Sequence, residues 1–245
     1  MKLCVIGDPV AHSQSPALHR ALLARAGLRG TYERVRVTPE ELPRFVAAAR
    51  GGAWDGFNVT MPLKECILPL LDELEETAAA MGAVNTVVIR EGRAKGFNTD
   101  GPGFLRTLPA LPQRALMLGN GGAARAVGHA LRGAGVRVDT CCRHPQAGMW
   151  AWEQLPDIAA RCELLVNATP LGMAGKGEFA DFRFLERLAR EATVYDLVYA
   201  PADTALLRQA AALGHPVIGG MALLQAQAEL AFGHFTRGLL PAEEK

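Results

Sequence analysis

The sequence lacks the features that mark membrane-spanning, secreted and nucleic-acid-binding proteins. Its 245 residues contain no apolar run near the ~20 residues that a membrane-spanning helix needs. The apolar run at the start is too short for a signal peptide and predicts a first strand instead. The formal net charge is +1 and no long basic run occurs, so neither a nucleic-acid surface nor a membrane surface is expected.

The number and spacing of the cysteines indicate neither disulfides nor a metal site. There are five cysteines, an odd number, and no C-x-x-C pattern, so we expect no disulfide framework, no zinc site and no other metal. Buried free thiols are typical of proteins in a reducing compartment, and we expect the protein to be soluble and cytoplasmic. The cysteines are Cys4, Cys66, Cys141, Cys142 and Cys162.

What the sequence does contain is an alternation of strands and helices long enough for two domains. Hydrophobic residues make up 49% and charged residues 21%, which is a globular balance. A chain of 245 residues accommodates two domains of about 100–150 residues each. The pattern predicts an α/β fold, with a mostly parallel N-terminal domain and a C-terminal Rossmann domain that binds a dinucleotide.

The Rossmann prediction depends on a glycine turn near the middle of the chain. An apolar run ends at Gly119, and a helical pattern begins after Gly121. Gly119 permits a tight turn, and Gly121 lets backbone N–H groups approach a pyrophosphate at the helix N-terminus. Ala124 is the third small residue, which allows the helix to pack close to the strand.

Polar side chains follow the predicted strands of the first half. Ser13 and Ser15 lie between a strand and a helix, where two hydroxyls beside free N–H groups suit a carboxylate; alternatively Ser15 caps the helix and Ser13 is a loop residue. Thr60 and Lys64 follow a strand predicted at 54–59, and carboxyl ends of parallel strands gather ligands. Taken alone, however, Lys64 is typical of a solvated surface lysine.

Three further local patterns give predictions that a structure can test. A capping box at residues 38–41 predicts a helix that runs to about Arg50. A helix is predicted over 70–81, ended by Gly82. Two strands at 84–90 and 93–97 are predicted to form a hairpin.

Several short motifs occur together in one order, and with them the sequence resembles the shikimate dehydrogenase family from Gly7 to about Thr236. In the first half they are Ser13-Gln14-Ser15-Pro16, Asn58-Val59-Thr60-Met61-Pro62-Leu63-Lys64, Gly82-Ala83-Val84-Asn85-Thr86 and Asn98-Thr99-Asp100-Gly101. In the second half they are Gly119-Asn120-Gly121-Gly122-Ala123, Val166-Asn167-Ala168-Thr169-Pro170-Leu171-Gly172-Met173, Tyr195-Asp196-Leu197-Val198-Tyr199 and Gly219-Gly220-Met221 with Gln225.

The resemblance implies a reaction and a set of roles. The family reduces 3-dehydroshikimate to shikimate reversibly with NADPH, in chorismate and aromatic amino-acid biosynthesis. By this resemblance Lys64 is catalytic with Asp100 as its partner. The implied substrate-binding residues are Ser13, Ser15 and Tyr199 for the carboxylate and Thr60, Asn85, Asp100 and Gln225 for the ring hydroxyls. The implied cofactor-binding residues are Gly119, Asn120, Gly121, Gly122, Ala123, Arg143, Asn167, Thr169, Val198 and Gly220.

This chemistry moves a proton together with a hydride. Because burial favours the neutral form of an amine, a lysine partly screened from water can exchange that proton near neutral pH. A carboxylate opposes that effect but fixes the position of the ammonium. How Lys64 and Asp100 share the proton stays open.

The end of the second Rossmann strand bears on the choice of cofactor. An NAD site usually has a carboxylate there for the ribose 2′-hydroxyl, whereas this strand ends in Cys-Cys-Arg-His and Asp139 lies earlier in it. Arg143 suits a 2′-phosphate, so we expect NADP. The family pattern is Asn-Arg-Thr, and the change to Cys142 and His144 leaves the strength of the NADP preference open. Arg125 and His144 are further candidates for phosphate contacts.

Two alternatives remain at this stage. One is a quinate/shikimate dehydrogenase that uses NAD, and the other is a catalytically inactive sensor of shikimate-like ligands. We expect a substrate domain at 1–101, completed by a C-terminal helix at 222–245, and an NADP-binding domain at 102–221. A monomer and a homodimer are equally compatible with the sequence.

Overall fold

The computed structural model describes residues 1–237. Within it the chain divides into two compact units. Among the described residues, the first unit contains 1–99 and 227–237, and the second contains 100–226. Residues 238–245 of the predicted C-terminal helix lie outside the described residues. Both units combine helices with a sheet, which confirms the predicted α/β class.

The first unit is built on a mixed six-stranded sheet in the order β2-β1-β3-β5-β6-β4. Its strands are β1 (Lys2–Gly7), β2 (Thr31–Arg36), β3 (Gly56–Val59), β4 (Glu73–Leu74), β5 (Thr86–Arg90) and β6 (Arg93–Phe97). Its helices are α1 (Ser15–Arg25), α2 (Leu42–Ala48), α3 (Leu63–Cys66) and α4 (Glu76–Met81), with a π turn at Ala49–Ala53 and a 3₁₀ turn at Leu68–Leu70. β1 runs parallel to β2 and β3, whereas β5 is antiparallel to β3 and β6.

The central strand β1 is apolar because both of its faces are covered. Successive side chains of a strand point to opposite faces. Cys4 and Ile6 accordingly pack in the core on one face, and Leu3 and Val5 pack in the core on the other. All four side chains are buried.

The second unit contains a fully parallel five-stranded sheet in the order β11-β10-β9-β7-β8. Its strands are β7 (Arg114–Leu118), β8 (Arg137–Cys141), β9 (Leu164–Asn167), β10 (Thr193–Asp196) and β11 (Val217–Gly219). Its helices are α5 (Asp100–Thr107), α6 (Gly122–Gly133), α7 (Leu155–Ala159), α8 (Ala205–Ala212) and α9 (Gly220–Thr236), with 3₁₀ turns at Trp152–Gln154 and Arg183–Arg187. The last helix, α9, begins in this unit and ends in the first.

The strand order of the second sheet identifies where a ligand belongs. The chain passes from β7 to β8 on one side and then to β9 on the other side of β7. The connections that leave β7 and β9 therefore diverge at their carboxyl ends. Ligands of open parallel sheets bind in the crevice that this reversal creates.

The hydrogen bonds of the predicted capping box form, although α2 begins only at Leu42; the predicted hairpin is confirmed, and the start of a third element is wrong. In the capping box, Thr38 N–H donates to Glu41 Oε2 at 2.9 Å and Glu41 N–H donates to Thr38 Oγ1 at 3.4 Å. β5 and β6 form the predicted hairpin. The predicted helix over 70–81 begins only at Glu76, because Asp72 accepts the N–H of Ala94 at 2.7 Å and β4 then pairs with β6.

All five cysteines are free, as expected, but one differs in exposure. Cys66 is exposed at the end of α3, whereas the other four are buried. The prediction of five buried thiols is therefore wrong at Cys66. In the described part of the chain, no helix is both long and apolar enough to cross a membrane.

Candidate active site

Thr60 lies where β1 and β3 end side by side. Thr60 N–H donates to the Ile6 carbonyl at 2.9 Å, and Asp8 N–H donates to the Met61 carbonyl at 3.0 Å. A Cβ at Gly7 would collide with the Thr60 side chain and approach the Met61 carbonyl oxygen to 2.9 Å. Glycine at position 7 therefore lets this turn close, and it leaves Thr60 partly exposed at the carboxyl edge of the sheet.

The two serines lie in the loop from β1 to α1. Arg34 of β2 fixes this loop, since its guanidinium donates two hydrogen bonds to the Ser13 carbonyl at 2.6 and 2.9 Å. Ser15 is the first residue of α1, and its N–H donates to Ser13 Oγ at 3.3 Å. The alternative in which Ser15 caps the helix is therefore wrong, because the accepting hydroxyl belongs to Ser13.

The side chain of Asn85 is held on both sides. Its Oδ1 accepts from Thr99 N–H at 2.9 Å, and its Nδ2 donates to Thr99 Oγ1 at 3.0 Å. Thr86 Oγ1 donates to Asn85 Oδ1 at 3.0 Å. Asn58 Nδ2 donates to Thr86 Oγ1 at 3.0 Å and to the Asn85 carbonyl at 3.1 Å. These bonds give the Asn85 amide one orientation at the start of β5.

Lys64 belongs to α3, the single-turn helix that follows Thr60. Leu63 is fully buried and its N–H donates to the Thr60 carbonyl at 2.9 Å, which anchors this helix. The Lys64 carbonyl accepts from Val84 N–H at 2.9 Å, and its side chain is half-buried. Thr60, Lys64 and Asn85 therefore share one connected backbone framework, although they come from separate motifs.

Two glutamines of α9 differ in burial. Gln225 is exposed, so its side chain is accessible to a ligand. Gln227 is buried and lies with its Oε1 3.5 Å from the Thr99 hydroxyl. The sequence signal for Gln227 is its four-residue spacing from Ala231 and then Phe235, both buried against β1. Gln227 was not predicted from the sequence.

In the second unit, the turn after β7 has the shape that a dinucleotide requires. Gly119 has φ of +99°, and a Cβ there would lie 3.0 Å from Thr169 Cγ2, so glycine is required. A Cβ on Gly121 or Gly122, in contrast, would meet no atom within 4 Å. This open space adjoins the N-terminus of the 12-residue helix α6, whose N–H groups favour an anion. The residues present therefore fit a bound pyrophosphate.

The neighbours of this turn fit the same ligand. Asn120 and Ala123 are exposed on either side of the glycines, where a ligand can reach them. Ala124 is buried in the core that includes Met117 of β7. The small third residue therefore brings α6 close to β7, as the sequence predicts.

The end of β8 carries an exposed arginine and no free carboxylate. Asp139 accepts from Arg114 Nε at 2.7 Å and from Trp150 Nε1 at 3.1 Å, so both of its oxygens are bonded within the protein. Partial burial raises the pKa of Asp139, but the bonds from Arg114 and Trp150 outweigh this effect and the pKa is lowered overall. Arg143 is exposed two residues after β8 ends at Cys141. This geometry is consistent with discounting Asp139 as a ribose acceptor.

Asn167 organises a loop and does not present its side chain to a ligand. It is fully buried, and its Nδ2 donates to Asp196 Oδ1 at 2.9 Å and to the Leu171 carbonyl at 3.1 Å. Its Oδ1 accepts from the N–H and hydroxyl of Thr169. The Asn167 amide is thus used within the protein, whereas Thr169 is partly exposed.

The buried carboxyl of Asp196 completes this arrangement. It accepts from Thr204 Oγ1 at 2.6 Å and from Val198 N–H at 3.0 Å, in addition to Asn167. Burial raises the pKa of Asp196, and the hydrogen bonds from Thr204, Val198 and Asn167 oppose that rise. Asp196 thus fixes the loops that follow β9 and β10.

The backbone at Val198 and Gly220 is closely packed. Val198 is buried, and a Cβ on Gly220 would collide with the Leu197 carbonyl oxygen and lie 2.7 Å from the Val198 carbonyl carbon. No larger residue fits at position 220. Only the backbone is available to a ligand at these two positions, whereas the neighbouring Tyr199 is half-buried and can present its side chain.

Asp100 is the first residue of α5 and is half-buried in the second unit. Across residues 1–237, no group of three or more His, Cys, Asp or Glu side chains is placed to hold a metal ion.

Comparison with known proteins explains this combination of residues. Residues 5–87 match the family model of the shikimate dehydrogenase substrate binding domain. A shikimate dehydrogenase (NADP(+)) of Synechococcus sp. (strain JA-3-3Ab) is 44% identical to this chain. The alignment covers 98% of this chain and 90% of that protein. The chain belongs to the shikimate dehydrogenase family.

Solved members and neighbours of the shikimate dehydrogenase family share the whole fold. A shikimate 5-dehydrogenase of Thermus thermophilus, crystallised with NADP(H) and shikimate, is 43% identical with a TM-score of 0.89, covering 98% of this chain and 95% of that one. A quinate dehydrogenase of Corynebacterium glutamicum in complex with NAD is 31% identical with a TM-score of 0.86, covering 97% and 94%. The expected resemblance to the shikimate dehydrogenase family is confirmed.

Proposed function

We propose that this protein is an NADP-dependent shikimate dehydrogenase that reduces 3-dehydroshikimate to shikimate reversibly, as one step of chorismate and aromatic amino-acid biosynthesis. The observation that carries the proposal is the 43% identity, over 98% of the chain, to a shikimate dehydrogenase crystallised with NADP(H) and shikimate. The site residues support it, because the implied polar groups of the first unit are held in a fixed framework.

The first unit supplies hydroxyls suited to the carboxylate of a cyclic acid. Ser13 and Ser15 lie beside the start of α1, where free N–H groups favour an anion. We assign these two serines to the carboxylate together with Tyr199.

The ring hydroxyls of the substrate need a second set of polar groups. We assign Thr60, Asn85 and Gln225 to them. Gln227 helps to fix Asn85 indirectly, because its buried amide lies beside Thr99 and Thr99 is hydrogen-bonded to Asn85. Groups fixed in this way would be left unpaired by an analogue that lacks the hydroxyls, which gives selectivity.

We assign the proton transfer to Lys64, with Asp100 as its partner. When shikimate is oxidised, the Lys64 amine accepts the proton of the reacting hydroxyl, and in reduction the ammonium returns it to the oxygen. Asp100 orients the hydroxyl and stabilises the ammonium.

We place NADP on the second unit. The cofactor, when bound, accepts or gives the hydride, and the chain supplies position and electrostatics. The α6 N-terminus and the open side of Gly121 and Gly122 receive the pyrophosphate. We assign Arg143 to the 2′-phosphate. Because Asp139 is already bonded to Arg114 and Trp150, no carboxylate of β8 is available for the ribose 2′-hydroxyl of NAD.

Initial rates with shikimate and quinate, each with NADP and NAD, test this proposal. We expect kcat/KM to be highest for shikimate with NADP. A preference for NAD would contradict the role of Arg143 and favour the quinate/shikimate dehydrogenase alternative, for which the NAD complex of the C. glutamicum neighbour is the precedent. Binding of shikimate and NADP without any turnover would favour the inactive sensor.

We further propose that the enzyme works in the cytoplasm as a monomer or homodimer on small molecules alone. Five free cysteines, four of them buried, suit a reducing compartment. Sedimentation of the purified protein distinguishes the two oligomeric states.

A further inference from the structure

We propose that Tyr32 is a positioning residue of the shikimate site, acting through its buried hydroxyl. This inference rests on the proposed function, because it takes Ser15 and Asn85 to be substrate-binding groups. Tyr32 lies on β2, outside every motif that carries the family resemblance. Its side chain is fully buried, so it acts on the substrate only through other residues.

The Tyr32 hydroxyl begins a continuous chain of hydrogen bonds. It donates to Asn58 Oδ1 at 2.6 Å, which is a short bond between buried partners. Asn58 then donates from its Nδ2 to Thr86 Oγ1 and to the Asn85 carbonyl at 3.0 and 3.1 Å. Thr86 in turn donates to Asn85 Oδ1 at 3.0 Å. With its Oδ1 held by Tyr32, the Asn58 amide can direct its Nδ2 only toward Thr86 and Asn85.

The same hydroxyl has a second polar neighbour, the Ser15 side chain. Burial raises the pKa of Tyr32 well above its ordinary value, and a polar contact with the Ser15 side chain opposes that rise. Tyr32 therefore interacts with both Asn58 and Ser15. It connects the groups that we assign to the carboxylate with those that we assign to the ring hydroxyls.

The ring and backbone of Tyr32 are fixed as firmly as its hydroxyl. The His19 ring stacks on it with centroids 4.3 Å apart and an interplanar angle of 6°. Burial lowers the pKa of His19 to about 3, so this ring stays neutral. Arg20 of the same helix donates twice to the Tyr32 carbonyl at 2.9 and 3.2 Å. Helix α1, which begins with Ser15, therefore sets the position of Tyr32.

The test is the Tyr32→Phe variant, which removes one oxygen and keeps the ring. Asn58 Oδ1 then loses its donor, and the amide can rotate away from Asn85. We expect KM for shikimate to rise about tenfold, the equivalent of one hydrogen bond, while kcat changes less than about threefold. The dissociation constant of NADP, measured by calorimetry, should stay unchanged because the cofactor binds to the other unit.

Tyr195→Phe is the matched control. Tyr195 is also fully buried, and its hydroxyl lies 3.0 Å from Thr107 Oγ1 in the second unit. This variant loses a partly buried hydrogen bond outside the proposed shikimate chain, so KM for shikimate should not change. An equal rise of KM in both variants would overturn the proposal, because it would show a general effect of lost stability.

Thr86→Val tests the same chain if Tyr32→Phe does not fold. It should also raise KM for shikimate, and the double variant should raise it by less than the product of the two single effects, since both act on Asn85. KM within twofold of the wild-type value in both single variants would overturn the proposal. Wild-type turnover separates the two proposals: its absence contradicts the function, whereas normal turnover with unaffected variants contradicts only the role of Tyr32.

Discussion

Replacing Gly122 with alanine should stabilise the free protein and weaken its binding of NADP at the same time. Gly122 is the first residue of α6, its φ is not positive, and a Cβ there would meet no atom within 4 Å. A methyl group therefore adds no strain and reduces the freedom of the unfolded chain. This effect is worth about 0.4–1 kcal/mol, or about 1–4 °C in Tm for a chain of this size.

The same methyl group would occupy the open space that we assign to the pyrophosphate. It would separate the phosphate from the N–H groups at the α6 N-terminus. A hydrogen bond to a charged group contributes about 1.5–3 kcal/mol, so loss of one such bond should raise the dissociation constant of NADP about 10- to 150-fold. Calorimetric titration with NADP measures this change, and thermal unfolding without ligand measures the stability.

Gly133→Ala provides the matched control for the same helix. Gly133 is the last residue of α6, and a Cβ there also meets no atom within 4 Å. This variant should show the gain in Tm with unchanged NADP affinity. If Gly122→Ala binds NADP within twofold of the wild-type affinity, the pyrophosphate does not lie at this turn and the reasoning is refuted.

Two further predictions concern thiol reactivity and pH. In the native protein a thiol reagent should rapidly modify Cys66 alone, because the other four cysteines are buried. In denaturant all five cysteines should react. Rapid modification of two cysteines in the native protein would contradict this exposure pattern. Asp139 has a lowered pKa in the folded state, so its ionised form adds stability above its unfolded pKa of about 3.9, and this stability is lost as pH falls through the folded pKa. Asp139→Asn should therefore lower the free energy of unfolding by about 1 kcal/mol at pH 7 and much less near pH 3, as measured by denaturant titration. An equal loss at both pH values would show that the charge on Asp139 is not the cause.

The parts of the fold that were predictable from the sequence depend on local chemistry. The glycine turn after β7 is predictable because a tight turn with positive φ requires glycine, as at Gly119, and because small residues at 121 and 122 leave the helix N-terminus open. The capping box at Thr38 and Glu41 is equally local, and both of its hydrogen bonds form.

The errors and omissions concern interactions between distant residues. The helix predicted over 70–81 starts late because Asp72 bonds to Ala94, which lies 22 residues away, and no periodicity records that bond. Gln227 belongs to no motif, and its spacing from Ala231 and Phe235 predicts only that it lies on the buried face of α9. Packing shows that its amide lies beside Thr99.

The roles of buried residues that hold the site residues in place are also hard to predict from the sequence. Asn167 carries a motif, but the motif does not show that its amide is used entirely within the protein by Asp196, Leu171 and Thr169. Tyr32 carries no motif, and its bond to Asn58 joins positions 26 residues apart. Such roles are visible only once the strands are placed side by side.

The most direct test of the account is the rate of NADPH formation from shikimate and NADP by Lys64→Ala beside the wild-type enzyme, with both ligands saturating. We expect the wild-type protein to turn over and kcat of the variant to fall about 100- to 10,000-fold, the range of a lost general acid–base group. Turnover by Lys64→Ala close to the wild-type rate would contradict the assignment of Lys64 as the group that moves the proton.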